Sequence, residues 1–464
     1  MISHLSNRVF YHIYPFGFCG TPRYNDFSCP AGTGLRSLIG HIPHLLDLGV
    51  NAVYIGPLFE STAHGYDTLD YYHVDRRLGN NEALRDLVKV FHDAGILVIL
   101  DGVLNHTGRH FFAFRDVREK GQYSAYRDWF SGLNFGGRNP LGDPFTYNTW
   151  SGAWDLVKLN GVHREVREHL FGAVKFWIEE FDIDGLRLDA ADQLLPDFMD
   201  ELSQRSKAIK DDFWLMGEVV HGNYRNWART GRLDSVTNYE LYKGLWSSFN
   251  DRNFFELAWT LNRQSGPEGM YRDLLLYNFA DNHDVNRVAS ILKNPAHLFP
   301  LYGLLFTIPG IPSIYYGSEL GLRGERANNQ DFSLRPAWAD LPENFPLENK
   351  PVVDSGKLTG AIRRFGTIRK QYAALQEGSY RELFKGHGQF AFLRELKNNT
   401  DAAQGIIVAI NADMRTEHIH IPAASLGMHG TRWHDVLNGG EWRNGDRGLD
   451  VQIDPSWLRI LVRR

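Results

Sequence analysis

The sequence predicts an α/β protein: a (β/α)₈ TIM barrel, a small lid domain inserted after the third strand, and a C-terminal antiparallel β-sandwich. Short β-branched or aromatic runs alternate with amphipathic stretches, a long connection interrupts them after the third run, and the helical period disappears after about residue 375. At 464 residues the chain is long enough for a barrel with smaller attachments. The predicted bounds are 1–106 and 161–375 for the barrel, 107–160 for the lid and 376–464 for the sandwich.

Eight runs have the composition of buried strands in a parallel barrel. They begin at Val9, Ala52, Leu97, Ile183, Phe213, Ser235, Leu275 and Ser313, and read VFYHIYP, AVYIGP, LVILDGV, IDGLRLDA, FWLMGEV, SVTNYE, LLYNFADN and SIYYGSE. Between them, two segments show apolar residues spaced about 3.6 positions apart and end at glycine, which is typical of a helix and its C-terminus: LRSLIGHIPHLLDLG and NEALRDLVKVFHDAG. This alternation predicts the barrel.

The connection from Asn105 to about Asn160 is too long for a simple loop. It contains SGLNFGGRNPLGDPFTYNTWSGAWDLVKLN, and structureless connections of this length in compact folds are usually functional. We therefore expect a lid domain here. The short alternating runs QFAFLREL, GIIVAIN, HIHIP, VQIDP and LRILVRR that follow residue 375 predict the separate sandwich.

Composition and charge argue against nucleic acid and membranes as partners. The formal charge is 50 − 55 = −5, so no strong field draws the chain to nucleic acid or anionic lipid. The uncharged segment from Leu298 to Ser318 has the length of a membrane span. Pro300, Pro309, Gly310 and Pro312 interrupt it, which predicts a short buried helix followed by a strand instead.

The cellular location is predicted from the cysteines and the N-terminus. Two cysteines, Cys19 and Cys29, in a long chain fit a reducing compartment. The segment MISHLSNRVFYHIYP has no basic stretch followed by an apolar core, so we expect no secretory signal and a cytoplasmic protein. Aromatic residues make up 13% of the chain, which suits core packing and also stacking on sugar rings.

Four predicted strands end in carboxylates: Asp101, Asp189, Glu218 and Asp284. A single acidic residue at a strand end is more often a helix cap or a turn former. Together they are stronger evidence, because the C-terminal ends of barrel strands face the active-site loops. Such a cluster suits glycoside hydrolysis, in which one carboxylate attacks the anomeric carbon and another protonates the leaving oxygen.

Arg187 and Asp189 are two residues apart in a strand and therefore share one face. Burying a charge pair is costly, so the pair is either a structural salt bridge or part of the chemistry. In the second case the guanidinium favours the carboxylate form of Asp189, while the apolar flanks of Glu218 raise its pKa and suit a general acid. His106 and His283 are accompanied by no HExxH or CxxC spacing, so we expect no catalytic zinc.

These segments resemble the signature segments of the α-amylase family of glycoside hydrolases. DGVLNH (101–106), GLRLDAAD (185–192), GEVVH (217–221) and DNHD (281–284) occur in the family's order, and HGYDTLDYYHVD from His64 resembles its sugar-stacking loop. The resemblance implies that Asp189 is the nucleophile, Glu218 the acid/base and Asp284 the group that stabilises the transition state. The implied substrate-binding residues are Tyr66, Asp67, His106, Arg187, His221, His283, Asp331 and Arg335.

Two of these assignments have an alternative, and one further segment narrows the resemblance. Asp331 and Arg335, from DFSLR, resemble donor-side sugar contacts but also fit a plain loop salt bridge. LVKLN (156–160) is similar to the MPKLN segment of the neopullulanase, cyclomaltodextrinase and maltogenic amylase subgroup. That subgroup usually carries an additional N-terminal β-domain, which we expect this chain to lack because its first barrel strand begins near Val9.

The resemblance also bears on metals. Many α-amylases bind calcium at the asparagine of the first segment, here Asn105, together with the lid and a Lys-His pair after the nucleophile. This sequence has Asp192 and Gln193 in place of that pair. We therefore expect no catalytic metal and no required cofactor, and a structural calcium ion remains open.

The resemblance implies a retaining hydrolase that cleaves α-1,4-glucosidic bonds of maltooligosaccharides, cyclodextrins or starch-derived glucans through a covalent glucosyl-enzyme. We then expect the Asp189 and Glu218 carboxyls about 5–5.5 Å apart. An α-1,6-acting hydrolase or transglycosylase on short α-glucooligosaccharides is the alternative, and a non-catalytic carbohydrate-binding barrel is a remote one. The sequence leaves the oligomeric state open, and a homo-oligomer is compatible with it.

Overall fold

The computed structural model describes residues 3–327, 331–340, 345–397, 404–426 and 430–464. Its strands are β1 (Phe10–Ile13), β2 (Ala52–Ile55), β3 (Leu97–Gly102), β4 (His106–Gly108), β5 (Thr149–Trp150), β6 (Ala153–Lys158), β7 (Gly185–Leu188), β8 (Trp214–Gly217), β9 (Ser235–Val236), β10 (Tyr277–Phe279), β11 (Ile311–Tyr315), β12 (Ser379–Lys385), β13 (Gln389–Leu396), β14 (Gln404–Asn411), β15 (Glu417–Pro422), β16 (Arg432–Asp435), β17 (Glu441–Arg443), β18 (Gly448–Ile453) and β19 (Trp457–Arg463).

The α-helices lie between and after the barrel strands. They are α1 (Ser3–Ser6), α2 (Pro15–Phe18), α3 (Gly34–Ile39), α4 (Ile42–Asp47), α5 (Asn81–Asp93), α6 (Phe112–Lys120), α7 (Arg164–Phe181), α8 (Pro196–Ile209), α9 (Tyr239–Asn250), α10 (Phe255–Ser265), α11 (Val288–Ile291), α12 (Leu298–Thr307), α13 (Ser355–Gln371), α14 (Ala373–Glu377) and α15 (Ala423–Leu426).

Eight strands form one parallel sheet in the order β10-β11-β1-β2-β3-β7-β8-β9. A parallel bridge from Thr237, just after β9, to Tyr277 at the start of β10 joins the two ends of this order. The sheet is thereby a closed barrel. All eight predicted strands are present, and the last begins at Ile311, two residues before the predicted Ser313.

Alternation along the strands positions the site. Phe10, Ile99 and Trp214 point into the barrel, where the rings of Phe10 and Trp214 lie 5.2 Å apart across it. Their neighbours face the surrounding helices. Because the side-chain period is two, the residues two and four positions further along these strands also face inward, at the C-terminal ends. This register places Asp101 and Glu218 beside Arg187 and Asp189.

The predicted helix over residues 35–49 is wrong in one respect, because it is two helices, α3 and α4. The chain breaks at Gly40 and His41, and Pro43 follows in the first turn of α4. Proline lacks the N–H that a continuous helix needs, but its fixed φ suits a helix start. The second predicted helix is α5. Its N-terminus is capped by Asn80, whose side-chain oxygen accepts a hydrogen bond from the backbone N–H of Ala83.

The segment 298–318 forms α12 and β11, as predicted. No helix in the described part of the chain is long and apolar enough to cross a membrane.

The lid contains a three-stranded antiparallel sheet in the order β4-β6-β5, together with α6. Its core is aromatic: the ring of Phe114 lies 5.0 Å from those of both Phe130 and Tyr147. His106 in β4 pairs with Lys158 in β6. The lid sheet therefore begins at His106, four residues after the end of β3. This short connection holds the lid against the mouth of the barrel.

The C-terminal part has a six-stranded antiparallel sheet and a two-stranded sheet, β15-β18. β12, β16 and β17 were not predicted. One face of the large sheet, including Ala391, Leu393 and Ile407, packs on the small sheet. Its other face, including Phe390 and Val408, packs on the barrel side. The TIM barrel, the inserted lid and the C-terminal sandwich confirm the predicted fold class.

Two fully buried arginines join these parts. Arg394 in β13 donates to the carbonyls of Thr307 (2.7 Å) and Leu375 (3.0 Å), and Arg369 in α13 donates to those of Phe306 (3.0 Å) and Leu375 (2.9 Å). Burial lowers the pKa of both guanidinium groups to about 9. The arginines satisfy the carbonyls at the C-termini of α12 and α14, which have no partners within their helices.

Candidate active site

Arg187 is the centre of a buried charge cluster at the C-terminal mouth of the barrel. Its Nη1 donates to Asp101 Oδ1 and to Asp189 Oδ1, each at 2.9 Å, and its Nη2 lies 2.8 Å from Glu218 Oε1. Tyr54 donates its hydroxyl to Asp101 Oδ2 at 2.6 Å. One planar guanidinium thus binds three carboxylates from three strands, a geometry that lysine could not provide.

Asp189 and Glu218 lie side by side on this guanidinium. Glu218 Oε2 accepts a hydrogen bond from the backbone N–H of Ala190 at 3.0 Å. Ala190 has a φ of +45°, in the left-handed region that L-residues avoid. The sharp turn directly after Asp189 therefore brings the backbone to Glu218 and fixes the relative position of the two carboxyls.

Burial raises the pKa of Asp189 well above its usual value, and the neighbouring carboxylates Glu218, Asp101 and Asp284 add to this, while Arg187 opposes it. Burial also raises the pKa of Glu218, and here too the Arg187 guanidinium acts to lower it. The sequence-based interpretation that Arg187 keeps Asp189 ionised is therefore incomplete, because burial outweighs the guanidinium. Because the Glu218 carboxylate raises the pKa of Asp189, ionising both groups at once is unfavourable.

Asp284 lies opposite, between His283 and Arg335. Its Oδ2 is 2.9 Å from Nε2 of His283, and its Oδ1 accepts from Nη2 of Arg335 at 3.1 Å. Burial works to raise the pKa of Asp284, but His283, Arg335 and Arg187 together hold it well below the usual range. Asp284 is thus held ionised, whereas the pKa values of Asp189 and Glu218 are raised.

His283 is held between two tyrosine rings. Its ring is nearly parallel to those of Tyr66, at 5.6 Å, and Tyr14, at 5.7 Å. The Tyr66 hydroxyl contacts His283 Nε2 and donates to Asp101 at 3.1 Å. Tyr66 therefore links the Asp284 side of the site to the Arg187 side.

His106 faces the nucleophile candidate without binding it. Its Nε2 lies 3.8 Å from Asp189 Oδ2, and neither atom has a hydrogen-bond partner in the described part of the chain. Burial and the nearby His64 lower the pKa of His106 to about 3, so it is neutral at pH 7. Buried polar atoms are rarely left unpaired, so these two mark where a polar ligand belongs.

The three remaining predicted residues, Asp67, Asp331 and His221, differ in how they are connected to this cluster. Asp67 accepts backbone N–H groups of Ala63 (2.8 Å) and His64 (3.0 Å), so both its oxygens already hold the loop. Asp331 lies 2.9 Å from Arg335 Nη2 and so supports the cation that holds Asp284. His221 is exposed, and among the described residues no hydrogen bond or ion pair joins its side chain to the cluster.

Sequence reasoning missed three residues that the structure brings into the site: His12, Tyr14 and Tyr54. The His12 ring stacks on Tyr54 at 4.3 Å and meets His283 edge-on at 5.0 Å. Burial, together with His283 and Arg187, lowers the pKa of His12 well below its usual value. The position of His12 in the sequence could have identified it, because it follows Phe10 by two residues on β1 and therefore also faces into the barrel.

The resemblance leaves open whether a structural calcium ion binds at Asn105, and the pocket beside this residue shows which groups could hold it. The pocket has a volume of about 270 Å³. Its lining residues are Leu104, Asn105, Ser131, Lys158, Leu159, Asn160, Gly161, Val162, Gln193, Leu194, Leu195 and Phe198. Calcium prefers carboxylate oxygens, yet this lining of described residues has an ammonium group and no carboxylate. These residues do not fit a calcium ion.

We therefore expect that EDTA leaves the melting temperature of the protein unchanged within about 1 °C, and that millimolar CaCl₂ does not raise it. Differential scanning calorimetry with and without each reagent measures this. A rise of several degrees with calcium, reversed by EDTA, would show that a site for the ion exists after all.

The comparison with known proteins agrees with the fold and with the residues found in the site. Residues 12–349 match the family described as "Alpha amylase, catalytic domain". The chain belongs to the α-amylase family of glycoside hydrolases. A cyclomaltodextrinase from a Bacillus species is 32% identical over 444 residues, which cover 92% of this chain and 75% of that protein. Neopullulanase 2 from Thermoactinomyces vulgaris is 31% identical, covering 95% and 72%.

Among solved structures, the α-amylase from Geobacillus thermoleovorans complexed with acarbose superposes with a TM-score of 0.80 at 25% identity, covering 99% of each chain. The resemblance drawn from the four signature segments is therefore confirmed. Those segments supply the Arg187 cluster and Asp284, so the membership of the α-amylase family and the buried charge network rest on the same residues.

Proposed function

We propose that this chain is a retaining hydrolase of α-1,4-linked glucans, with Asp189 as nucleophile, Glu218 as acid/base and Asp284 as the carboxylate that stabilises the transition state. The observation that carries the proposal is the free Oδ2 of Asp189. It is buried, has no hydrogen-bond partner among the described residues, and belongs to a carboxyl fixed by Arg187 beside Glu218.

The first step forms a covalent glucosyl-enzyme. Asp189 Oδ2 attacks the anomeric carbon while Glu218 gives its proton to the leaving glycosidic oxygen, so the bond to that oxygen breaks as the ester bond forms. The raised pKa of Glu218, caused by burial, suits this step, because the productive arrangement has Asp189 ionised and Glu218 protonated.

The second step releases the sugar. Glu218, now ionised, takes a proton from water, which attacks the same carbon and regenerates the Asp189 carboxylate. The low pKa of Asp284 keeps a negative charge beside the site throughout, where it stabilises the oxocarbenium-like transition state. Neutral His106, together with His283, is placed to bond the hydroxyls of the reacting sugar.

The finer substrate assignment is short maltooligosaccharides and cyclodextrins. It is supported by the relatives named cyclomaltodextrinase and neopullulanase, and by the α-amylase that binds acarbose. The lid over the mouth of the barrel supports it as well, since a covered site favours ligands that enter end-on or as small rings. A cytoplasmic location, where such sugars arrive after import, is part of the same proposal.

The test is a time course of purified protein with maltotriose, β-cyclodextrin, soluble starch and pullulan, with products resolved by chromatography and their anomeric form followed by NMR. We expect cyclodextrin and maltotriose to disappear faster than starch, with the α-anomer formed first. Faster loss of starch would contradict the substrate assignment, and a β-anomer formed first would contradict the retaining mechanism. An Asp189→Asn protein is the control for contaminating activity.

A further inference from the structure

Trp150 stands at the edge of the candidate active site on the lid. It is the last residue of β5, and a tight turn through Ser151 (φ +48°) and Gly152 (φ +83°) leads to β6, where Ala153 pairs with Trp150. Left-handed φ values at both turn positions are typical of the hairpin turns that match strand twist. The indole is therefore presented by a short, regular hairpin.

A chain of two contacts connects Trp150 to the nucleophile candidate. The Trp150 ring centroid lies 5.8 Å from that of His106, whose Nε2 lies 3.8 Å from Asp189 Oδ2. Asp189 and His106 are both buried, whereas Trp150 is 37% exposed. The indole is thus linked to the Asp189 carboxyl through His106, on the lid side of the site.

Packing does not explain this tryptophan. Trp154, four residues later in the same hairpin, packs against the hydrophobic core and meets Tyr147 edge-on at 5.3 Å. Trp150 is absent from the core, and within the described part of the chain its indole N–H makes no hydrogen bond. Neither burial in the core nor a hydrogen bond accounts for the position of Trp150, and its ring stands beside His106 at the edge of the candidate site.

The indole has the chemistry to bind a sugar ring. One face of a glucose unit is lined by C–H groups, which pack on an aromatic face, while the hydroxyls at its rim accept from a free N–H. His106 is placed to bind the sugar that reacts at Asp189. A ring 5.8 Å from His106 would then reach the next sugar along the chain.

We propose that Trp150 is the stacking platform for the glucose unit adjacent to the one that reacts, and that it sets the preference for substrates of two or more units. The inference rests on the proposed α-glucan hydrolase function. It goes further by naming a specificity residue in the lid, outside the signature segments.

The experiment compares Trp150→Ala and Trp150→Phe with wild type on maltotriose and on α-glucosyl fluoride, a substrate with a single sugar. Trp150→Ala is expected to lower kcat/KM for maltotriose about 10-fold, mainly through KM, and to change kcat/KM for α-glucosyl fluoride by less than about twofold. Trp150→Phe keeps an aromatic face without the N–H, so a loss of about threefold is expected on maltotriose.

Trp259→Ala is the matched control, because Trp259 on α10 is 62% exposed but lies under Arg263, away from the charge cluster. It should leave both substrates unaffected. Equal losses on both substrates, or no loss with Trp150→Ala, would overturn the inference. If wild type turns over neither substrate, the proposed function fails instead. Calorimetric titration with maltotriose then decides on Trp150: binding about 10-fold weaker in Trp150→Ala supports the platform, and unchanged binding or no binding to wild type overturns it.

Discussion

Replacing Asp189 by asparagine is expected to lower kcat about 10⁴-fold or more and, at the same time, to raise the free energy of unfolding at pH 7 by about 1–2 kcal/mol. The loss of activity follows from the nucleophilic role proposed for Asp189, because the variant lacks the carboxylate oxygen that would form the ester. The gain in stability follows from the pKa of Asp189, which burial and the neighbouring carboxylates raise in the folded protein.

The sign of the stability effect can be worked out from that direction. A carboxyl whose pKa is higher in the folded state than in the unfolded state binds more protons when folded, so its contribution falls as pH rises between the two values. Above the raised pKa the ionised group costs stability, and asparagine removes that cost. Arg187 keeps Asp101 and Glu218 as partners, so the exchange leaves no unpaired guanidinium.

Urea unfolding of both proteins at pH 4 and pH 7.5, together with kcat on maltotriose, measures these effects. The stability advantage of Asp189→Asn should be present at pH 7.5 and smaller at pH 4. A variant that is less stable than wild type at pH 7.5 would show that the Arg187 contact outweighs burial, and residual activity within 100-fold would exclude Asp189 as nucleophile.

Replacing Arg187 by methionine is expected to cost about 3–5 kcal/mol of stability at pH 7.5 and to abolish activity. The variant leaves Asp101, Asp189 and Glu218 close together in a buried site without their shared cation. Removing the partner of a buried charge is costly because the remaining charge has lost its solvation and gained nothing in exchange. Here three carboxylates are affected by one substitution.

This deficit should shrink on acidification. Burial raises the pKa of Asp189 and Glu218, and Arg187 is the group that opposes the rise, so in Arg187→Met both pKa values increase further. The folded variant then takes up protons below its raised pKa values and above the unfolded value of about 4, which relieves the repulsion as pH falls.

Urea unfolding at pH 5 and pH 7.5 distinguishes this from a general packing loss. The matched control is Arg205→Met on α8, because Arg205 also contacts two glutamates, Glu168 and Glu201, but on the surface. It should cost about 0–1 kcal/mol. A deficit for Arg187→Met that equals the control, or that grows at pH 5, would contradict the role assigned to the cluster.

Much of the site could be predicted because strands obey simple rules. Inward-facing residues at the C-terminal ends of barrel strands had to converge, and Asp101, Arg187, Asp189 and Glu218 do so through one guanidinium. The pKa of Asp189 could not be predicted in this way. The sequence shows that Arg187 is near, but only the structure shows how deeply both groups are buried and how many carboxylates compete for one cation.

Aromatic residues limited the prediction in another way. Tyr14 and Tyr54 have the composition of ordinary core residues, and only their positions around His283 and His12 distinguish them. Trp150 lies in a connection with no periodicity, so nothing in the sequence placed it beside His106. The break between α3 and α4 was readable from Pro43, whereas β16 and β17 are short strands whose pairing depends on distant partners.

The large C-terminal sheet has a consequence for how this molecule could have changed during evolution. Because one face packs on the small sheet and the other on the barrel side, with Arg394 and Arg369 bonded to helix ends between them, its strands cannot be exchanged as an independent module. Removing the sheet would uncover apolar surface and leave buried carbonyls without partners. Variation is expected to be better tolerated in the lid, which is inserted between the barrel strands β3 and β7. Diversification of specificity in such a chain is therefore expected at the lid, while the C-terminal sheet is inherited together with the barrel.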